Sequence, residues 1–145
     1  MHARNWVLII YLLDTNIVSE VWKVRPNPKV KQFLTQIPLS QSYLAILTIT
    51  ELKFGIELLE TSKKKQYFQQ AFQQTLETYR EQIISPDISM ANAYAQMAAQ
   101  QKKAGTIKPI FDLWIAATAK SNNLTLVTRN SKDYLGLDIK LVNPF

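Results

Sequence analysis

Cysteine is absent from the 145 residues, and histidine occurs once, as His2. The first absence removes disulfides, thiol nucleophiles and cysteine-ligated zinc together, and it fits a reducing compartment. The second leaves a Ser-His-Asp triad, a two-histidine nuclease and an H-E-x-x-H zinc site without essential parts, the more so because His2 stands at a terminus expected to fray. Only three glycines are available, Gly55, Gly105 and Gly136, so neither a P-loop nor a dinucleotide fingerprint can be written on the chain. No run approaches the roughly 20 apolar residues of a membrane span. The N-terminal "MHARNWVLIIYLLDT" has the basic-then-apolar order of a secretory signal, but its apolar run, Trp6 to Leu13, is only eight residues long. An acid follows that run and no small-residue cleavage site appears. A cytoplasmic location without membrane attachment is expected, and any chemistry must come from carboxylates, hydroxyls, amides, Lys or Arg.

What is present is an ordinary globular composition, 47% hydrophobic and 19% charged, in a length that suits one domain, residues 1–145, with a core of its own. No internal repeat, low-complexity segment or linker divides it. Seventeen basic residues against 11 acidic ones leave a formal charge of +6, which favours a polyanionic partner without identifying one.

Apolar runs and helical spacings alternate along the chain. Trp6 to Leu13 reads as a strand buried on both faces and ends on Asp14, after which Ile17, Val18, Val21 and Trp22 share a helical face. Arg25 to Pro28 is a loop, and a short helix with Val30, Phe33 and Leu34 runs to the break at Pro38. "SYLAIL", Ser42 to Leu47, is a second strand, followed by a helix with Ile49, Leu52, Ile56 and Leu59 on one face. The spacing of Phe68, Phe72, Leu76, Tyr79 and Ile83 predicts one long helix from Lys63 to Ile83. An alanine-rich helix follows and stops at Gly105, with Lys102 and Lys103 near its negative end. A further helix starts near Pro109 and holds Leu113, Trp114, Ala117 and Ala119. Leu124 to Thr128 and Ile139 to Val142 are the last strands. Such alternation, with buried strands, indicates a three-layer α/β/α sandwich around a mainly parallel sheet.

Acidic residues recur where strands hand over to helices: Asp14 after the first strand, Glu51 in the first turn after the second, and Asp112 at the opening of "PIFDLWIAA". Each has a bland reading. Asp14 can cap the next helix, Thr48 and Glu51 have the spacing of a capping box, Asp112 faces a helix dipole, and Asn130 is a good turn residue. Taken jointly, they project from one edge if the strands are parallel neighbours. Two carboxylates about 4 Å apart repel by roughly 4 kcal/mol at an effective dielectric of 20, so such a cluster protonates or binds a cation. Oxygen-only ligands favour Mg²⁺ or Mn²⁺ over zinc, and a cation of that kind suits phosphodiester hydrolysis. Thr15, Asn16, Thr128 and Asn130 are placed to orient ligands or water. An aspartyl-phosphate phosphatase would want a second aspartate where Asn16 stands.

The segments "YLLDTNIVSE", "ITELKFGIELL", "IKPIFDLWIAATA" and "LTLVTRNSKDY", in this order across nearly the whole chain, resemble the PIN-domain ribonucleases, specifically the VapC-type toxins of toxin–antitoxin pairs. The resemblance implies an α/β/α sandwich, an Mg²⁺- or Mn²⁺-dependent endoribonuclease acting on RNA, homodimers, and a cognate VapB-like antitoxin that wraps the toxin. By position, Asp14 and Asp112 match the family's main metal ligands, and Glu51 matches the acid that assists. The family often has aspartate where this chain has Asn130, which leaves one charge fewer for a second ion. That departure is what a catalytically idle, nucleic-acid-binding or regulatory relative would show. Asp133 is the nearest acid that could substitute for the missing aspartate, but its place on the next turn favours a structural role. The lead before Tyr11 is longer than the family's, as translation from an upstream start codon would make it. Arg129, Lys132 and Lys108, with Lys102 and Lys103, are candidates for phosphate contacts, which add affinity without reading sequence.

Overall fold

The computed structural model describes residues 8–145; Trp6, Val7 and His2, and with them the start expected for the first strand, lie outside the described residues. Within the described residues the first strand, β1, is Tyr11–Leu13. Leu8 and Ile9 are exposed and stand outside the strand that begins at Tyr11. Helices α1 (Thr15–Val21) and α2 (Pro28–Thr35) follow, then β2 (Ser42–Ala45), α3 (Ile46–Glu57), α4 (Lys63–Thr78), β3 (Ile83–Ile84), α5 (Ile88–Lys103), α6 (Ile110–Ser121), β4 (Thr125–Val127) and β5 (Lys140–Val142).

The five strands form one sheet in the order β3-β2-β1-β4-β5, and every neighbouring pair is parallel. Parallel strands need crossovers, and helices laid over both faces bury the sheet twice. Successive strand residues therefore serve different cores. Leu12, Ala45 and Leu126 face a cluster with Met97, Leu113, Ala116 and Tyr134 from α5, α6 and the turn beyond β4. Leu13, Leu44 and Val127 face a second cluster with Ile17, Trp22, Val30, Leu52, Ile56 and Phe72 from α1 to α4. The three-layer sandwich read from the sequence is this arrangement.

Several local expectations are corrected. Val21 is 46% exposed while Ile17, Val18 and Trp22 are buried, because a seven-residue helix turns only a narrow stripe inward. Ile46 and Leu47 belong to the start of α3, not to the strand before it. The long helix ends at Thr78, and Ile83 pairs with Leu44 as the edge strand β3. By contrast α5 stops where expected: Gly105, at φ +75°, lets its own N–H and that of Thr106 return to the carbonyls of Lys102 and Gln101, closing a Schellman motif.

The sheet order places a switch point between β1 and β4. From β1 the chain moves outward through β2 to β3 on one side, then crosses back to β4 and β5 on the other. Connections that diverge in this way leave a crevice at the carboxyl ends of the two central strands, the usual ligand position in open α/β sheets. Asp14 and Thr128 directly follow those two strands.

Candidate active site

Asp14 is 6% exposed and carries four donors. Its Oδ1 accepts from the N–H of Thr15 at 2.8 Å, which caps α1. Its Oδ2 accepts from the hydroxyls of Thr128 at 2.9 Å and Tyr134 at 3.0 Å, and from the Asn16 amide at 3.4 Å. The capping role and a place in the crevice therefore coexist. Asn16 ties the two central strand ends together: its amide also reaches Thr128 Oγ1 at 3.3 Å, and its carbonyl accepts from the Arg129 N–H at 2.9 Å.

Glu51 does not form the capping box. The N-cap of α3 is Ala45, which puts Thr48 in the first turn and Glu51 in the second. Thr48 Oγ1 is buried with no hydrogen-bond partner among the described residues. Glu51 Oε1 instead accepts from Thr15 Oγ1 at 2.9 Å, joining α3 to α1. Asp112 does sit in the first turn of α6.

These groups line one cavity of about 300 Å³, formed by Asp14, Thr15, Asn16, Ser19, Glu51, Asp112, Asn130, Asp133 and Tyr134. Burial raises the pKa of Glu51; the Thr15 hydrogen bond opposes that shift, and the charges of Asp14 and Asp112 add to it. Burial likewise raises Asp112, reinforced by Asp14 and Asp133 and opposed by Lys108. Glu51 and Asp112 thus both hold their protons more tightly than free carboxyls do, because each is partly buried and each faces the Asp14 carboxylate.

Thr128 Oγ1 also accepts from the backbone N–H of Asn130, at 3.1 Å, holding that loop against the strand end. Of the basic candidates, Lys108 donates to the Asp133 carbonyl at 2.8 Å beside the cavity. The Arg129 guanidinium lies 4.9 Å from the centre of the Phe145 ring. Lys132 is exposed on the turn Ser131–Tyr134.

Sequence reasoning missed Tyr134. Its ring belongs to the core, at 3% exposure, while its hydroxyl reaches the site. Burial pushes the phenol's pKa up, and Asp14 and Asp112 push it further, so it is a neutral donor. The only signal was an aromatic one residue after Asp133 in a polar loop, where burial is not read from spacing. Ser19 was missed too, and Asp133, expected to be structural, lines the cavity.

The donor set fits a hard divalent cation. Every side-chain donor on the cavity wall is an oxygen or an amide, with neither cysteine nor histidine among the lining residues. Among the described residues no three acidic side chains stand close enough together to hold an ion as they are; the fit lies in the chemistry of the donors, hard oxygens of the kind that divalent cations such as Mg²⁺ take.

The PIN domain family model matches residues 11–134. Toxin FitB of Neisseria gonorrhoeae is 35% identical over 92% of this chain and 97% of its own length. The VapC ribonuclease Y4jK of Sinorhizobium fredii is 28% identical over 92% and 96%. Among solved structures, FitAcB from Neisseria gonorrhoeae superposes with a TM-score of 0.86 at 34% identity, covering 93% of this chain and 98% of that one. A toxin–antitoxin complex from Klebsiella pneumoniae does so at 0.70 and 28%, covering 93% and 98%. The order of motifs, the parallel sheet and the acidic crevice at its switch point thus lead to one place, and the chain belongs to the PIN-domain family, on its VapC-type branch.

Proposed function

We propose that this protein is a metal-dependent endoribonuclease, the toxin of a type II toxin–antitoxin pair, that hydrolyses RNA phosphodiester bonds at the Asp14–Glu51–Asp112 cavity. The observation that carries the reading is the convergence of these three acids, from the end of β1, from α3 and from the first turn of α6, on one cavity at the switch point. The ribonuclease name of the Y4jK relative supports RNA as the polymer.

Asp14 and Asp112 are the principal ligands for Mg²⁺ or Mn²⁺, with Glu51 assisting. Such an ion supplies acidified water and neutralises charge on the phosphate. Thr15 ties Glu51 by Oε1 and leaves Oε2 to take a proton from the attacking water, a task for which a raised carboxylate pKa is suited. Asn16 and Thr128 hold Asp14, and Asn130 offers an uncharged amide to water, which favours one ion over two. Arg129, Lys132 and Lys108 meet the RNA backbone.

The chain acts as a single PIN-like domain in the cytoplasm, where its substrate is; among the described residues no helix is long and apolar enough to cross a membrane. Its partners are a second copy and a VapB-like antitoxin, in keeping with the toxin–antitoxin neighbours. Light scattering and coexpression with the adjacent gene's product read these two associations.

The deciding experiment is cleavage of a labelled RNA pool by wild type and Asp14→Asn in Mg²⁺, Mn²⁺ or EDTA. Cleavage is expected only with metal, and the variant should lose more than ~100-fold, beyond the 10–100-fold typical of residues one step removed from a metal. Equal cleavage by both folded proteins would make the acidic edge structural and overturn this reading; no cleavage by either, with RNA binding unaffected by EDTA, would replace it with that of a catalytically idle nucleic-acid-binding relative.

A further inference from the structure

Tyr134 has no part in the reading above, yet it touches the carboxylate at the centre of the site. A carboxylate offers about four lone-pair sites, two on each oxygen. On Asp14, Oδ2 receives three donors, Thr128 at 2.9 Å, Tyr134 at 3.0 Å and Asn16 at 3.4 Å, whereas Oδ1 receives only the Thr15 N–H at 2.8 Å. Oδ2 is therefore saturated, and Oδ1 keeps one lone pair. Hydroxyl donors to an ionised acceptor are among the stronger hydrogen bonds, and both hydroxyls come from buried residues, Thr128 at 0% and Tyr134 at 3% exposure.

We infer that Tyr134 is a positioning residue which, together with Thr128, clamps Asp14 by Oδ2 and so presents Oδ1 as the single oxygen that Asp14 gives to the metal. The inference rests on the metal-dependent reading of the site. The clamp is built from two cores at once. The Tyr134 ring packs with Leu12, Ala116 and Leu137 on the α5–α6 side of the sheet, so the hydroxyl is fixed by packing and not by a flexible loop. Thr128 hangs from the end of β4, whose last residue Val127 belongs to the opposite core. With both in place the carboxylate has one orientation; with one removed it can rotate and chelate with both oxygens, or turn away from Asp112. Ligand groups held by such partners typically lose 10–100-fold in metal affinity when the partner is removed.

The test is Mn²⁺ binding to the full chain, read by the electron paramagnetic resonance of free Mn²⁺, for wild type, Tyr134→Phe, Thr128→Val and Asp14→Asn, with thermal melts in EDTA and RNA cleavage alongside. Tyr134→Phe keeps the ring and removes only the donor. It should weaken Mn²⁺ binding by about tenfold or more and lower kcat at saturating RNA while KM for RNA stays unchanged. Mn²⁺ affinity equal to wild type, with or without a lowered Tm, would make Tyr134 a packing residue and overturn the inference. Should Tyr134→Phe fail to fold, Thr128→Val carries the same expectation, since its hydroxyl holds the same oxygen, and unchanged affinity there is equally fatal. If wild type binds no Mn²⁺, or Asp14→Asn binds it as tightly, the metal-dependent reading itself falls. Loss in Asp14→Asn with none in the other two removes only the clamp.

Discussion

At the scale of single residues, Glu51 shows how the site is maintained against its own repulsion. Its pKa is raised, first by burial and then by Asp14 and Asp112. Between the unfolded value, about 4.3, and the raised folded value, the native state binds more protons than the unfolded one. Stability of the metal-free protein therefore falls as pH rises through that window. Glu51→Gln keeps an oxygen to accept from Thr15 and removes the charge. In EDTA at pH 7 it should melt above wild type, because the charge that burial and the neighbouring acids penalise is gone. The gap should close near pH 4 and reverse in Mg²⁺, which stabilises only the protein that binds it. A variant that melts below wild type in EDTA at pH 7 would show that the Glu51 charge is satisfied without metal. Asp112→Asn should give a smaller gain, because Asp112 also interacts favourably with the α6 dipole, worth roughly 0.3–1 kcal/mol.

At the scale of elements, helix stops were easier to read than edges. Gly105 announced the end of α5, and Asp87 begins it by accepting from the Met90 N–H at 2.9 Å. Replacing Asp87 with Ala should cost about 1 kcal/mol, seen as a Tm lower by roughly 2–4 °C. RNA cleavage should be unchanged, since the cap is not among the cavity residues; an equal loss of cleavage in a folded variant would tie α5 to the chemistry. The acidic positions were legible for a related reason. Asp14 and Asp112 sit where a strand or loop becomes a helix, and such transitions leave marks in composition. Edge strand β3 was not legible. Its two residues, Ile83 and Ile84, continue the helical spacing of Phe72, Leu76 and Tyr79, and their pairing with Leu44 and Ala45 is long-range. Periodicity carries no information about a partner some forty residues away. The same limit hid Tyr134, whose ring obeys the core and whose hydroxyl obeys the site, and it made Thr48 and Glu51 look like a capping box until the start of α3 was fixed at Ile46.

At the scale of the whole molecule, a formal charge of +6 must coexist with an acidic cavity, so distribution decides how RNA is held. Arg129 and Lys132 follow β4 at the carboxyl edge of the sheet, and Lys108 lies against the Asp133 carbonyl there. Lys120 and Lys140 are at the other edge, where Lys120 pairs with Asp138 at 2.7 Å and Lys140 reaches Asn123 at 3.3 Å. If the first group grips the backbone beside the cut, binding by an inactive Asp14→Asn protein should weaken with salt, the logarithm of affinity falling by about 0.7 per phosphate neutralised on a single strand. Arg129→Ala and Lys132→Ala in that background should each reduce the slope by about 0.7, whereas Lys120→Ala should leave it unchanged. Arg129 carries a further condition. Its guanidinium rests on the Phe145 ring, which packs against the α1–α4 core, so Phe145→Ala should lower affinity by freeing the arginine while leaving the slope intact, because the charge remains. Titrations over 50–300 mM salt separate these cases. Equal slope losses for Lys120 and Arg129 would mean that the basic excess attracts RNA diffusely and that no edge of the sheet is privileged.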